Sequence, residues 1–292
     1  MNAFYSHTSE NEFVLSRFQE MLRTKYIGRS IIYRTEVEST MDVAKTEAEA
    51  GCPTGTLIIA EEQTKGRGSK GRTWISSEKG KSLYFTIVFH VKPEHATELI
   101  KLNLSVPIAT TVTLKQEGNL ERVGIKWPND VWIYPDVHSV IPKKISGTLI
   151  DSVQTGDKLY ALAGMGINLN QSFKDEPIVD SNNSEPIVPT SVFDITGKTV
   201  DREKFLAYFC NTLEGLLGFS QVDVITLFKD NDIVIGKEVN IIPSDKGALP
   251  YAAKVIGISK FGNLRVELKD GTGVKELIAE EVSIRPLTSC FK

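Results

Sequence analysis

The chain has 292 residues, 41% of them hydrophobic and 24% charged, with a formal net charge of -3. That is enough apolar material for one large core and a second small one, and so slight a charge supplies no global field for nucleic acid. Cys52, Cys210 and Cys290 lie far apart without a CxxC pair, which fits a reducing compartment and argues against a thiolate metal site. His7, His90, His95 and His138 have no metal-ligand spacing either. No apolar run is long enough to span a bilayer, and the acidic N-terminus has the marks of neither a signal nor a transit peptide, so a cytoplasmic location without a membrane partner is expected.

Residues 10 to 25 carry Phe13, Val14, Phe18, Met21 and Leu22 at helical spacing and predict an amphipathic helix. Ile31-Ile32-Tyr33 predicts a strand, after which Ser39 and Asp42 form an N-cap arrangement for an Ala- and Glu-rich helix ending near Gly51. Strands follow at 56 to 61 and 82 to 90, then a long helix from Glu94 to Gln116. Val123 to Trp127 reads as a strand reaching a Pro128-Asn129-Asp130 turn, with Val131 to Tyr134 as its hairpin partner. Further strands at 143 to 151 and 159 to 167 and helices near 201 to 217 and 221 to 229 complete an α+β unit, a mixed or antiparallel sheet packed with helices. Asp175 to Pro189, rich in Pro, Ser, Asn and acid, reads as a loop. From about Val234, strand-like runs at 239 to 242, 253 to 258, 264 to 268 and 274 to 278 alternate with Gly and Asp turns and suggest a small β-barrel. The expected domains are therefore 1–232 and 233–292.

Three segments carry chemistry. Gly66-Arg67-Gly68-Ser69-Lys70-Gly71-Arg72-Thr73-Trp74 combines backbone freedom with cationic donors, as an anion site requires. It nearly fits the P-loop pattern, but a P-loop opens a helix, whereas this stretch leads into the β-branched, aromatic run Leu83 to Phe89 and so joins strand to strand. A solvated basic hairpin tip would have the same composition. Lys126-Trp127-Pro128-Asn129-Asp130 presents a lysine from a tight hairpin, either toward a ligand or only as a flank of the turn. Gly164-Met165-Gly166-Ile167-Asn168 ends a strand and lacks the last glycine of a dinucleotide fingerprint; its glycines permit close approach of a ligand or of another backbone.

In this order and separation the segments resemble the biotin protein ligases. The resemblance covers Ser39 to Asn170 and rests on Glu38-Ser39-Thr40-Met41, Gln63 with Gly66 to Trp74, Lys126 to Asp130, Lys144-Ile145-Ser146-Gly147-Thr148-Leu149-Ile150 and Gly164 to Asn168. It continues more weakly through Thr190-Ser191-Val192 and Arg202 into the C-terminal barrel, which resembles the small SH3-like domain of that family. The resemblance implies a class II synthetase-like fold and a two-step reaction. Biotin carboxylate attacks the α-phosphorus of ATP to give biotinyl-adenylate and pyrophosphate, and a lysine of a biotin carboxyl carrier domain then attacks the acyl carbon. Lys126 and Arg67 are implied as catalytic residues. Biotin would meet Ser39, Thr40, Gln63, Gly66, Arg67, Lys126, Gly164 and Gly166. ATP and the adenylate would meet Arg67, Ser69, Lys70, Arg72, Trp74, Asn129 and Asn168, with Mg²⁺ accompanying the phosphates and its ligands unassigned. The basic loop would be mobile until ligand anions order it into a lid.

Two departures matter. The bacterial pattern is G-R-G-R-R-G-R-x-W, and Ser69 and Lys70 replace two of its arginines, which bears on how the loop retains the intermediate. Only 38 residues precede Ser39, so a form lacking the N-terminal DNA-binding domain is expected, with no DNA partner. A lipoate protein ligase shares the acyl-adenylate logic but fits these motifs poorly; a non-catalytic module binding biotin or nucleotide is the alternative outside enzymes.

Overall fold

The computed structural model describes residues 12–286 other than 77, 93–95, 140, 174–187, 246, 270 and 280–281. Most of the loop expected at 175 to 189, together with His7, His95 and Cys290, lies outside the described residues.

The elements are α1 (Leu15–Met21), β1 (Ile31–Arg34), α2 (Thr40–Glu49), β2 (Thr56–Ala60), β3 (Leu83–Val91), α3 (Ala96–Gln116), β4 (Val123–Lys126), β5 (Asp130–Ile133), β6 (Lys143–Thr155), β7 (Lys158–Ile167), α4 (Val192–Thr196), α5 (Arg202–Leu217) and α6 (Gln221–Asn231). They are followed by β8 (Glu238–Pro243), β9 (Tyr251–Ile258), β10 (Leu264–Leu268), β11 (Val274–Leu277) and β12 (Val282–Pro286). β1 to β7 form one seven-stranded sheet in the order β1-β2-β3-β7-β6-β5-β4. Only the β1–β2 pair is parallel, so the sheet is mixed, as expected.

Alternation along the strands divides the core. Ile58, Val88, Tyr160 and Leu162 meet Met41, Ala44 and Ala48 of α2 on one face. Their neighbours Leu57, Ile59, Phe85, Ile87, Ala161 and Ala163 belong to the larger core on the other face, where Phe85 stacks edge-on against Phe209 of α5. With both faces covered, every residue of β2 is buried. A buried ion pair pins the end of this strand. Glu61 accepts from Arg202 of α5 at 2.6 Å, from the Phe13 amide at 2.6 Å and from the Tyr33 hydroxyl at 2.8 Å.

Three expectations change. α1 spans 15–21, so residues 12–14 and 22–25 of the predicted 10–25 fall outside it. β6 runs on to Thr155 and pairs with β7 from Ser146 to that end, but its outer half is polar and exposed, which hides it from a hydrophobic reading. β12, a short strand containing Arg285 and ending in Pro286, was not expected; it adds to β8 at the edge of a five-stranded antiparallel sheet in the order β11-β10-β9-β8-β12. Among the described residues no helix is long and apolar enough to cross a membrane.

The link into that second sheet crosses β4 closely. Ile233 donates its amide to the Ile125 carbonyl at 2.8 Å, and a Cβ on Gly124 would stand 2.3 Å from the Ile233 side chain. Asp232 accepts the amides of Val234 and Ile235 at 2.6 and 2.8 Å, while its other carboxyl oxygen is buried with no hydrogen-bond partner. Burial pushes its carboxyl up to about 7, against the two amide bonds and the opposing pull of Lys126 and Lys237. A carboxyl raised from 3.8 binds more protons folded than unfolded, so it costs stability increasingly as pH rises from about 4 through about 7. Relative to the parent chain, Asp232→Asn should therefore gain at least about 1 kcal/mol in denaturant stability between pH 5 and pH 8. A difference independent of pH would show that Asp232 is ionised throughout.

Candidate active site

The segment after β2 is a short hairpin, strand to strand as expected. The Trp74 amide donates to the Gly66 carbonyl at 2.9 Å, Arg67 bridges to Thr73, and the Gly68 amide donates to the Arg72 carbonyl at 2.7 Å. Its tip is a single tight turn, Ser69–Gly71, with Lys70 at φ 58° and Gly71 at φ 72°. Gly66 is needed for closeness: a Cβ there would lie 2.4 Å from the Trp74 carbonyl oxygen.

This hairpin roofs a cavity of about 240 Å³. The start of α2 forms one end. Ser39 caps the helix by accepting the Met41 amide at 3.3 Å, as its N-cap pattern predicts. Thr40 donates both its amide and its hydroxyl to the Gln63 side-chain oxygen, at 2.9 and 3.1 Å, and accepts from Thr86 at 2.9 Å. Ser39, Thr40 and Gln63 therefore lie together at one end of the first cavity, with Thr40 and Gln63 bonded to each other. The floor is built from facing glycines. Gly147 and Gly166 are cross-strand partners on β6 and β7, and the Trp74 indole lies over both; a Cβ would stand 2.8 Å from it on Gly147 and 2.3 Å on Gly166. Met41 fills the corresponding space over Gly164, 2.5 Å from a Cβ there. The Trp74 indole N–H is buried with no hydrogen-bond partner.

Charge concentrates where this cavity meets a second one of about 420 Å³, lying toward the C-terminal sheet. Arg72 and Asp130 line both. Asp130 pairs with Lys144 at 2.7 Å and with Lys126 at 3.9 Å. Burial raises its carboxyl, but Lys144 and Lys126 outweigh that and hold it down at about 2. Lys126 is buried, and its ammonium sits 5.4 Å from the Trp132 ring centre. Burial pushes its ammonium down to about 7, opposed by Asp130 and reinforced by Arg285, Lys144 and Arg72. Lys126, Arg72 and Arg285 line the second cavity with Asp130, and Lys144 and Arg72 line the first with it, so basic side chains gather at the junction beside one buried carboxylate.

The structure gathers Ser39, Thr40, Gln63, Arg67, Ser69, Arg72, Trp74, Gly164, Gly166 and Asn168 around the first cavity. Gly66 is outside its lining. Lys126, Lys70 and Asn129 line the second cavity instead. Asn129 clamps the β4–β5 turn to β6, donating to the Thr148 carbonyl at 2.6 Å and accepting the Thr148 amide at 3.2 Å. Lys70 reaches the C-terminal sheet. Arg67 is held at the rim by Asp42 of α2 at 2.7 Å. Asn168 is tied at both ends of its amide, donating to the Thr190 carbonyl and accepting from Gln171.

The structure adds three residues to the site: Lys144, which carries no signal of its own within its motif; Asp130, whose turn position hides its pairing; and Arg285, on a strand too short to be predicted. Lys144 lines the first cavity, with its ammonium 5.4 Å from the Trp74 ring centre.

The model of the biotin/lipoate A/B protein ligase family matches residues 32–168. A biotin–[acetyl-CoA-carboxylase] ligase of Paracoccus denitrificans is 31% identical over 169 residues, 55% of this chain and 64% of that protein. The biotin protein ligase of Aquifex aeolicus, solved in complex with biotin and ATP, superposes with a TM-score of 0.68 at 28% identity, covering 89% of this chain and 100% of that one. The biotin protein ligase of Leishmania major, solved with biotin, gives a TM-score of 0.52 at 30% identity over 86% of this chain and 99% of that one. The chain belongs to the biotin/lipoate A/B protein ligase family, among its biotin protein ligases.

Proposed function

We propose that this ATP-dependent biotin protein ligase holds biotin in the first cavity with its carboxylate at the junction of the two, where ATP meets it. The observation that carries this reading is the junction of the two cavities, where Asp130 pairs with Lys144 and Lys126 and where Arg72 and Arg285 add to the lining. A carboxylate approaching a triphosphate is repelled unless fixed cations offset both charges, and cations already in place require no reorganisation at the moment of reaction. The cluster stands between a cavity with hydrogen-bonding ends and glycine floors and a cavity open toward the C-terminal sheet.

Lys144 takes the central role expected of Lys126. It lines the first cavity, whereas Lys126 stands behind Asp130. The Asp130 pair at 2.7 Å orients Lys144, and Lys126 steadies Asp130 from the far side. In the first step a biotin carboxylate oxygen bonds to the α-phosphorus and the bond to the leaving pyrophosphate breaks; Lys144 and Arg72 offset the charge on the phosphoryl oxygens, with Lys126 and Arg285 facing the leaving group. In the second step the neutral amine of a carrier lysine attacks the acyl carbon, AMP leaves, and the amine gives up a proton. Ser39, Thr40 and Gln63 supply the polar end that recognises the ureido ring. Magnesium enters as part of the MgATP substrate; among the described residues no group of three or more His, Cys, Asp or Glu could hold a resident ion.

The acceptor is a biotin carboxyl carrier domain, as the name of the Paracoccus relative supports. A net charge of -3 favours such a protein over nucleic acid as the macromolecular partner. The sheet from 233 onward would act as a separate domain contributing Arg285 to the site.

Incubation with biotin, MgATP and a carrier domain should raise the carrier mass by one biotinyl group. No increase would leave only a binding module, and ATP/pyrophosphate exchange driven by lipoate but not biotin would overturn the substrate assignment. Lys144→Met should reduce biotin-dependent exchange by about 100-fold or more with folding intact; unchanged exchange would remove Lys144 from the reaction. Lys126 acts as a cation, so in the parent chain kcat/KM for ATP should fall as pH rises above about 7. Lys126→Arg should abolish that inflection. A persistent inflection would assign it to another group.

A further inference from the structure

The tip of the basic hairpin is occupied by a residue badly suited to its backbone. Lys70 has φ 58° and ψ 39°, the left-handed region that glycine adopts without cost. Its side chain is directed away from the first cavity, onto the C-terminal sheet. The Lys70 ammonium donates to the Val282 carbonyl at 2.7 Å, to the Ser283 hydroxyl at 3.2 Å and to the Ser244 hydroxyl at 3.3 Å. An ammonium has three protons, and three acceptors of suitable geometry meet it. They converge because β8 and β12 are antiparallel partners with Pro243 opposite Val282, so that Ser244 lies beside the start of β12.

The receiving sheet is itself docked on the catalytic sheet. The Trp127 indole N–H donates to the Gly262 carbonyl at 2.9 Å, and Gln221 donates to the Lys260 carbonyl at 2.6 Å. The hairpin that Lys70 tethers supplies Arg67, Ser69, Arg72 and Trp74 to the first cavity. A bond at the tip therefore restrains the whole roof, with no atom of Lys70 in that cavity.

We propose that Lys70 is a positioning residue that fastens the hairpin to the β8–β12 corner, making the C-terminal sheet the catch that sets how long the roof stays closed over the activated acyl-adenylate. This rests on the ligase reading above and gives the C-terminal sheet a role distinct from Arg285. Opening the catch frees the hairpin, exposes the mixed anhydride to water and lets the intermediate escape before a carrier lysine arrives. The catch acts on retention of the intermediate, not on its formation.

The test uses the full chain loaded with labelled biotin and MgATP without acceptor, then separated from free ligand. Loss of bound biotinyl-adenylate is followed in the parent chain, in Lys70→Met, in Lys70→Arg and in the double variant Ser244→Ala/Ser283→Ala. Loss should be about tenfold faster in Lys70→Met and at least threefold faster in the serine variant, whose rate of adenylate formation stays within twofold of the parent. Lys70→Arg should restore retention, and adding the serine changes to Lys70→Met should cause no further loss. Unchanged retention in Lys70→Met overturns the proposal. So does a serine variant that retains like the parent beside a leaky Lys70→Met, because the lysine would then act on the adenylate itself. Failure of the parent chain to form any adenylate would instead count against the ligase reading, and melting temperatures identify a variant that has not folded.

Discussion

Asp130 is the acid that pairs with both Lys144 and Lys126 where the two cavities meet, and the site depends on that pairing. An uncompensated lysine in a dry interior is costly, and removing one partner from such a pair strands the other. Asp130 answers two lysines at once, Lys144 closely and Lys126 at a longer distance. Burial drives Lys126 toward neutrality, and Asp130, 3.9 Å away, opposes it only in part. Arg72, Lys144 and Arg285 add positive charge to the lining of the two cavities, which favours an anion at their junction.

Backbone irregularity places these charges. Between Val131 and Trp132 the pairing of β5 with β6 slips, so that Val131 faces Ser146 but Trp132 faces Lys144. The slip inverts the alternation on β6. Ile145 joins the large core, Gly147 lies under Trp74 on the opposite face, and Lys144 reaches the same side as Gly147. In an unbroken strand Lys144 and Gly147, three apart, would face opposite ways. The bulge is therefore what delivers the cation to the cavity.

The C-terminal sheet is bound into the site at several points of different character. Gly262 receives the Trp127 indole, Arg285 contributes charge, and the corner at Ser244 and Val282 receives Lys70. The Lys-Trp-Pro-Asn-Asp turn consequently serves both sides: Asp130 faces the first cavity, Trp127 anchors the second sheet, and Asn129 locks the turn to β6. Its density of polar and aromatic residues reflects these simultaneous contacts.

Periodicity and turn chemistry determined the elements with strong apolar patterns, from β2 and β3 to α3 and α5, because a residue spacing of 2 or 3.6 is a local property of the chain. The N-cap at Ser39, the strand-to-strand setting of the glycine-rich hairpin and the family resemblance were legible for the same reason: each rests on neighbouring residues or short motifs. The half-exposed end of β6 and the short β12 were not, since neither carries a sufficient apolar signal. Tertiary structure alone decided that Lys144 and not Lys126 enters the first cavity, that Gly164 and Gly166 make room for Met41 and Trp74, and that Lys70 and Arg285 meet the site through the C-terminal sheet. Those outcomes depend on a register slip and on contacts between residues more than a hundred positions apart, where a side chain's direction is set by its partners and not by its neighbours in sequence.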